Sequence, residues 1–134
     1  MSKILVIDDR SDIRLSLQLL LEDHGFSVIE ADSPQSAQIK LKQASVSLIL
    51  LDMNFRLDTT SGEEGLQFLS WLNSANIQVP VIAMTAWSQT ELVVQAMKLG
   101  AKDFIEKPWK NKQLLHAINQ QLSLTSLTKE NAKY

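Results

Sequence analysis

The sequence contains no cysteine among its 134 residues. This absence excludes a disulfide framework, a thiolate nucleophile and a cysteine-ligated zinc site. It fits a reducing compartment. The first apolar run is short and ends at two aspartates, so the start of the chain resembles neither a signal peptide nor a membrane span. Together these absences predict a cytoplasmic protein without a membrane segment.

An excess of positive charge is also missing. Thirteen Lys and Arg residues stand against fifteen Asp and Glu residues, which gives a formal net charge of -2 with the two signs interspersed. Neutralising the phosphates of a duplex requires a basic stripe, and the sequence has none. We therefore predict that this segment does not bind nucleic acid directly.

What the sequence does have is three apolar runs that each end in an oxygen-bearing side chain. Residues 3–7 lead into Asp8 and Asp9, residues 48–51 into Asp52, and residues 81–84 into Thr85. Uninterrupted apolar runs of this length are typical of strands buried on both faces of a parallel sheet. We expect each run to deliver its polar side chain to one rim of that sheet.

Strand and helix patterns alternate five times along the chain. The predicted strands cover about residues 3–8, 26–30, 47–52, 79–84 and 102–106, and the predicted helices about residues 11–24, 33–44, 62–74, 85–99 and 109–122. This alternation predicts the α/β class, with a doubly wound (βα)5, flavodoxin-like, three-layer sandwich around a parallel sheet. The second and fifth strands are mixed in polarity and should be the edges, which favours the order 2-1-3-4-5.

One domain is expected over residues 1–122. Residues 123–134 contain few apolar side chains, and we interpret them as a helix end or a linker toward an output domain outside this chain.

The predicted strand order opens a crevice between strands one and three, where Asp8, Asp9 and Asp52 meet. Three neighbouring carboxylates repel one another, and a divalent cation removes that conflict. Oxygen ligands suit Mg²⁺. We expect Asp9 and Asp52 as direct ligands, Asp8 as a ligand through water, and Asn54 as a ligand through its backbone carbonyl.

Lys107 ends the fifth predicted strand and can extend its ammonium into the same crevice. A carboxylate held by a metal and a lysine stays charged, which favours Asp52 as a nucleophile over Asp52 as a general acid. The predicted reaction is in-line attack of Asp52 on a phosphoryl group, giving an acyl phosphate that hydrolyses itself slowly. Thr85 would donate its hydroxyl to a phosphoryl oxygen, although on its own it would predict the N-cap of the fourth helix.

The pairs Asp8-Asp9, Thr85-Ala86 and Lys107-Pro108, with Asp52 between the first two, occur here in order and at compatible spacings. In these motifs residues 2–122 resemble a CheY-like receiver domain of the two-component response-regulator family. The resemblance implies phosphoryl transfer from a phosphohistidine on a sensor histidine kinase to Asp52, with dependence on Mg²⁺.

The resemblance also implies a conformational switch in which Thr85 moves toward the phosphoryl group and Phe104 turns inward. It implies a cis peptide bond between Lys107 and Pro108. The surface formed by the fourth helix, fifth strand and fifth helix is then the expected output face and homodimer interface.

Departures from the family pattern refine these expectations. The loop over residues 54–62 is longer than in many members and resembles receivers that precede sigma-54-activating ATPase and DNA-binding domains. This similarity favours control of transcription as the output. Trp87 is bulky for its place beside the path of attacking water, so we expect it to slow hydrolysis. Phe104 stands where a tyrosine is commoner, so the switch must rest on packing.

Two rival functions remain open on the sequence. A phosphatase of the haloacid dehalogenase type also uses an Asp nucleophile, a Thr, a Lys and Mg²⁺, but it needs a second Asp where this chain has Asn54. A stand-alone receiver that acts by docking to a partner fits every motif above. A flavin-binding module on the same topology is disfavoured, because Asp8 and Asp9 would repel the cofactor phosphate.

Overall fold

Five strands and five helices alternate along the chain. The computed structural model describes residues 2–54, 63–86 and 89–131, with side chains as far as residue 125. The elements are β1 Lys3–Ile7, α1 Ser11–Asp23, β2 Ser27–Ala31, α2 Pro34–Gln43, β3 Leu48–Asp52, α3 Glu63–Ser74, β4 Val81–Ala86, α4 Thr90–Lys98, β5 Asp103–Lys107 and α5 Asn111–Asn131. No helix within the described ranges is long and apolar enough to span a bilayer.

The strands form one parallel sheet in the order β2-β1-β3-β4-β5. This confirms the predicted α/β class and strand order. The central strands β1 and β3 are buried almost throughout, whereas β5 alternates between half-buried and exposed residues. The polarity of the strands in the sequence therefore indicated which of them lie in the centre of the sheet and which lie at its edges.

Each face of the sheet is covered by helices. On one face, Leu5 and Ile49 pack in a cluster with residues of α2, α3 and α4. On the other face, Ile4 and Leu48 pack in a cluster with residues of α1 and α5. Because adjacent strand residues point to opposite faces, a strand buried on both sides must be apolar at every position. The two clusters give the three-layer sandwich that the sequence predicts.

Local signals account for some helix ends. Ser33 is the N-cap of α2, and its Oγ accepts a hydrogen bond from the Ser36 backbone N–H at 3.1 Å. Pro34 occupies the first helical position, where the missing N–H needs no partner. The predicted start of the second helix is confirmed.

The predicted start of the fourth helix is wrong. Thr85 and Ala86 belong to β4, where they pair with Glu106 and Lys107 of β5, and α4 begins only at Thr90. Thr85 is therefore not an N-cap. Pairing with the neighbouring strand overrides the local preference of a threonine for a helix start, and it fixes Thr85 on the rim of the sheet.

The last helix is longer than its apolar pattern indicates. α5 runs to Asn131, past residue 122 where the apolar repeat ends. Residues 123–131 contain no glycine or proline to stop a helix. The division of the chain at residue 122 stays a prediction.

Candidate functional site

Polar side chains from four strands meet at the carboxyl-end rim of the sheet. Asp8 follows β1, and Asp52 is the last residue of β3. Thr85 is the second-last residue of β4, and Lys107 is the last residue of β5. Asp8, Asp52 and Thr85 are almost completely buried, with at most 1% of each residue exposed. Buried polar groups of this kind are rare unless they are paired or bind a ligand. The rim is therefore the candidate site.

Lys107 joins the two buried aspartates. Its Nζ lies 2.8 Å from Asp52 Oδ1 and 2.9 Å from Asp8 Oδ2, and its side chain is 20% exposed. The second oxygen of Asp8 accepts a hydrogen bond from the Arg10 backbone N–H at 2.9 Å. One ammonium thus bridges residues that are far apart in the sequence but adjacent at the rim, as the sequence predicts.

The electrostatics of the site leave Asp52 short of positive charge. Burial raises the pKa of the Asp52 carboxyl above its ordinary value, and Asp8 adds to this rise, while Lys107 opposes it without cancelling it. For Lys107, burial lowers the pKa, but the two carboxylates outweigh burial and raise the pKa above its ordinary value. The ammonium is therefore charged at neutral pH, and one ammonium does not fully balance its surroundings.

A divalent cation fits this pocket. Asp8, Asp9 and Asp52 each offer an oxygen, and these atoms all lie within 4.8 Å of one another. Carboxylates gathered this closely repel one another, and a bound divalent cation would offset that repulsion. The donor set is all oxygen, as Mg²⁺ prefers. The predicted cluster of acids is thus present, and the ligand roles of these residues remain a proposal.

Two buried atoms at the rim have no hydrogen-bond partner among the described residues: Asp52 Oδ2 and Thr85 Oγ1. Leaving a buried polar atom unpaired costs about 1–3 kcal/mol. Asp52 Oδ1, by contrast, accepts from Lys107 Nζ and from the Asn54 backbone N–H, at 2.8 and 3.0 Å. The carboxylate is thus oriented through one oxygen while the other is left for a ligand or a reaction.

The unpaired hydroxyl of Thr85 leads to a stability prediction. Thr85→Val keeps the shape of the side chain and removes a buried group that has no partner within the described chain, so the free energy of unfolding should rise by about 1 kcal/mol. Thr125→Val is the matched control. It makes the same chemical change but removes a hydroxyl that has a partner, because the Thr125 hydroxyl donates to the Gln121 carbonyl at 2.9 Å. Urea denaturation measures both variants, and a loss of stability in Thr85→Val would contradict the prediction.

Asn54 connects Asp52 to the end of β4. Its side-chain Oδ1 accepts from the Ala86 backbone N–H at 2.9 Å, and its Nδ2 donates to Gln89 Oε1 at 2.9 Å. Gln89 Oε1 also accepts from the Ala86 N–H, at 3.2 Å. Asn54 was predicted as a backbone ligand for the metal. The structure adds a side-chain role that the sequence did not indicate.

Two contributors to the site were missed in the sequence. Arg14 Nη1 donates to the Asp8 backbone carbonyl at 2.7 Å, and its Nε pairs with Glu30 at 3.2 Å. It therefore ties α1 to the turn that carries the acidic pair. Gln89 is the other. The only sequence signal for Arg14 was its place in the first turn of α1, shortly after the two aspartates. A single Gln before a helix gives no signal of a role in the site.

The remaining predicted residues lie around this rim. The Lys107–Pro108 peptide bond is cis, as the resemblance implies. Phe104, the second residue of β5, is 39% exposed and so lies on the surface. Ala86 is exposed at the end of β4. Trp87 and all of the 54–62 loop after Asn54 lie outside the described residues, so their predicted roles are not tested.

The chain matches known proteins over nearly its whole length. A family model for the response regulator receiver domain matches residues 4–119. The chemotaxis protein CheY of Bacillus subtilis is 32% identical over 122 residues, which cover 90% of this chain and 98% of CheY. The phosphate regulon transcriptional regulatory protein PhoB of Escherichia coli is 34% identical over 118 residues, which cover 87% of this chain and 49% of PhoB.

A putative NtrX-like response regulator of Rickettsia bellii is 33% identical over 129 residues, which cover 96% of this chain but only 26% of that protein. Among solved structures, NtrX of Brucella abortus superposes with a TM-score of 0.87 at 31% identity, over 99% of this chain and 29% of NtrX. The isolated receiver domain of the same NtrX gives a TM-score of 0.81 at 30% identity, over 90% of this chain and 98% of that domain.

The chain therefore spans about a quarter of its NtrX-like relative and about half of PhoB, but nearly all of CheY. Receiver domains of response regulators are signalling domains that interact with histidine kinases. The resemblance drawn from the four sequence motifs is confirmed by the family model, the relatives and the fold together. This chain belongs to the response regulator receiver domain family of two-component signalling.

Proposed function

We propose that this chain accepts a phosphoryl group on Asp52 from a phosphohistidine of a sensor histidine kinase. The observation that carries the proposal is the asymmetry of the Asp52 carboxylate. Lys107 and the Asn54 N–H hold Oδ1, whereas Oδ2 is buried and has no partner in the described part of the chain. A carboxylate oriented in this way has one oxygen prepared for attack.

The transfer follows from these contacts. Asp52 Oδ2 attacks phosphorus, and the bond from phosphorus to the imidazole nitrogen breaks with its electron pair going to that nitrogen, which takes up a proton as it leaves. The product is an acyl phosphate on Asp52. Lys107 lies close enough to Asp52 to neutralise charge on the transferred group, and the unpaired Thr85 hydroxyl is available to donate to one of its oxygens.

Asp9 and Asp52 directly, Asp8 through water and the Asn54 backbone carbonyl would hold Mg²⁺, which neutralises developing charge on the phosphoryl oxygens when it is bound. The chain's own residues then orient the acceptor and shield it. Water attacking the same acyl phosphate would return Asp52 to its starting state, so slow self-dephosphorylation is part of the proposal.

The proposed output is a change at the surface formed by α4, β5 and α5, which also serves as a homodimer interface. Three large apolar side chains on this surface are exposed: Val94, Met97 and Phe104. Val94 and Met97 lie three positions apart on α4 and so share one face of the helix, and exposed apolar patches are typical of protein interfaces. We infer that this surface controls transcription through an output domain, since PhoB is a transcriptional regulator of which the chain matches 49%.

Turnover of stable phosphoesters is not favoured by this geometry. The phosphatase alternative needs a proton donor and acceptor two residues after the nucleophile. Asn54 occupies that position, and its side chain is hydrogen-bonded to the Ala86 backbone N–H and to the Gln89 side chain. A carboxamide also acts as neither a general acid nor a general base near neutral pH. The site therefore supports a phosphoacceptor better than a phosphatase.

Intact-mass measurement tests the proposal. After incubation with Mg²⁺ and acetyl phosphate, the native chain should gain the mass of one phosphoryl group. Asp52→Asn should gain none, because the amide lacks the nucleophilic oxygen, and a chelator of divalent cations should abolish the gain in the native chain. A native chain that stays unmodified, or an Asp52→Asn chain that is modified equally, would sink the proposal.

A further inference from the structure

Gln89 occupies the N-cap position of α4 but does not cap the helix. Its side chain makes no capping hydrogen bond, unlike that of Ser33 at the start of α2. Gln89 Oε1 instead accepts from Asn54 Nδ2 at 2.9 Å and from the Ala86 backbone N–H at 3.2 Å. The side chain of Gln89 therefore does not cap its own helix and instead connects Asn54 to Ala86 at the rim of the sheet.

This link closes a small network around one backbone donor. The Ala86 N–H points at two acceptors, Asn54 Oδ1 and Gln89 Oε1. The Asn54 side chain is held at its other end by Gln89, and the Asn54 backbone N–H holds Asp52 Oδ1. The amide of Ala86 is thus connected to the phosphoacceptor carboxylate through a single residue.

The network competes with a phosphorylated Asp52. Ala86 directly follows Thr85, so its N–H is the next donor along β4 after the unpaired Thr85 hydroxyl. A phosphoryl group carries up to two negative charges and three acceptor oxygens, and charged acceptors bind N–H groups more strongly than neutral amides do. Binding of the Ala86 N–H to a phosphoryl oxygen requires release from both carboxamides.

We infer that Gln89 is a positioning residue of the phosphoacceptor site. With Asn54, it holds the Ala86 N–H and so stabilises the unphosphorylated arrangement at the end of β4. The inference rests on the proposed function. It predicts that Gln89 sets how strongly the site responds to a phosphoryl group, because any stabilisation of the resting state opposes the switch.

Three variants separate this role from a structural one. Gln89→Leu removes both accepted hydrogen bonds at similar size. Gln89→Glu keeps an acceptor at the same place, because Gln89 acts only as an acceptor in the two contacts. Gln95→Leu makes the same chemical change on the exposed side of α4. Thermal melting of each variant checks that it is folded.

The first measurement is hydrogen exchange of the Ala86 amide by NMR, without any phosphodonor. Gln89→Leu should exchange about tenfold faster than the native chain, whereas Gln89→Glu and Gln95→Leu should stay protected. The second is titration with beryllofluoride, a phosphoryl analogue, in saturating Mg²⁺. Gln89→Leu should bind beryllofluoride about fivefold more tightly than the native chain, which corresponds to the net free energy of one hydrogen bond that no longer has to be broken. Gln95→Leu should bind with the affinity of the native chain.

Unchanged Ala86 exchange in Gln89→Leu overturns the inference, because the amide is then not held by Gln89. Faster exchange with unchanged beryllofluoride affinity also overturns it, since the contact then does not oppose the phosphorylated state. Failure of the proposed function looks different: the native chain itself would neither bind beryllofluoride nor take up a phosphoryl group, and the inference would fall with it.

Discussion

Lys107→Met should lower the free energy of unfolding by about 3 kcal/mol in the absence of divalent cations. The substitution leaves Asp8 and Asp52 buried beside each other without the ammonium that contacts both. Removing one partner of a buried ion pair typically costs about 3–5 kcal/mol. Partial protonation of the pair limits the loss here, because the pKa of Asp52 is already raised by burial.

The sign of the pH dependence follows from the same charges. Without Lys107 the pKa of the Asp52 carboxyl rises further, so the folded state binds protons more tightly than the unfolded state does. Stability is then lost as the pH rises through the folded pKa. The destabilisation by Lys107→Met should therefore be larger at about pH 8 than at about pH 5, because pH 5 is closer to the ordinary pKa of a carboxyl group and more of the acid is protonated there.

Urea denaturation at the two pH values measures this effect, with Lys110→Met as the matched control. Lys110 is exposed directly before α5, and it forms no ion pair within the described residues. Its replacement should leave the unfolding curve nearly unchanged. Equal behaviour of the two variants would show that Lys107 does not compensate the buried acids, and the electrostatic account of the site would be wrong.

The sheet was predictable because burial on both faces leaves a plain trace in the sequence. A strand such as β3 has apolar residues at four consecutive positions, and only its last residue, Asp52, is polar. Mixed polarity marked β2 and β5 as edges, and the order of strands followed. The start of α4 was not predictable in the same way. Thr85 prefers a helix N-cap locally, and only the pairing of β4 with β5 places it in the sheet.

The residues at the ends of the strands were predictable, and the residues that orient them from outside the strands, Arg14 and Gln89, were not. Asp8 and Asp52 come at the ends of apolar runs, and a charge at the end of a buried strand has few structural explanations. Gln89 has no such context, because a single carboxamide beside a helix is usually a surface residue. Its role depends on which way its side chain turns, and this is decided by Asn54, 35 residues earlier in the chain.

Asp52→Asn should reverse its effect on stability when Mg²⁺ is added. Without the metal, the variant should be more stable than the native chain by about 1–2 kcal/mol, because it removes a buried charge that its surroundings do not fully balance. The new amide keeps an oxygen that accepts from Lys107 and from the Asn54 N–H. The gain should shrink at about pH 4, where the native carboxyl takes up a proton.

With Mg²⁺ at a hundredfold excess over its Kd, the native chain should gain about 2.7 kcal/mol through binding to the folded state alone. Asp52→Asn should gain much less, since it lacks one of the three clustered carboxylates, so the order of stability inverts. Asp12→Asn is the control, because Asp12 is an exposed acid that pairs with Arg10 outside the cluster of three acids, and it should keep the full gain from Mg²⁺. Denaturation curves with and without the metal decide the matter. An equal gain in all three proteins would place the cation elsewhere and remove the reason for three acids to share one buried rim.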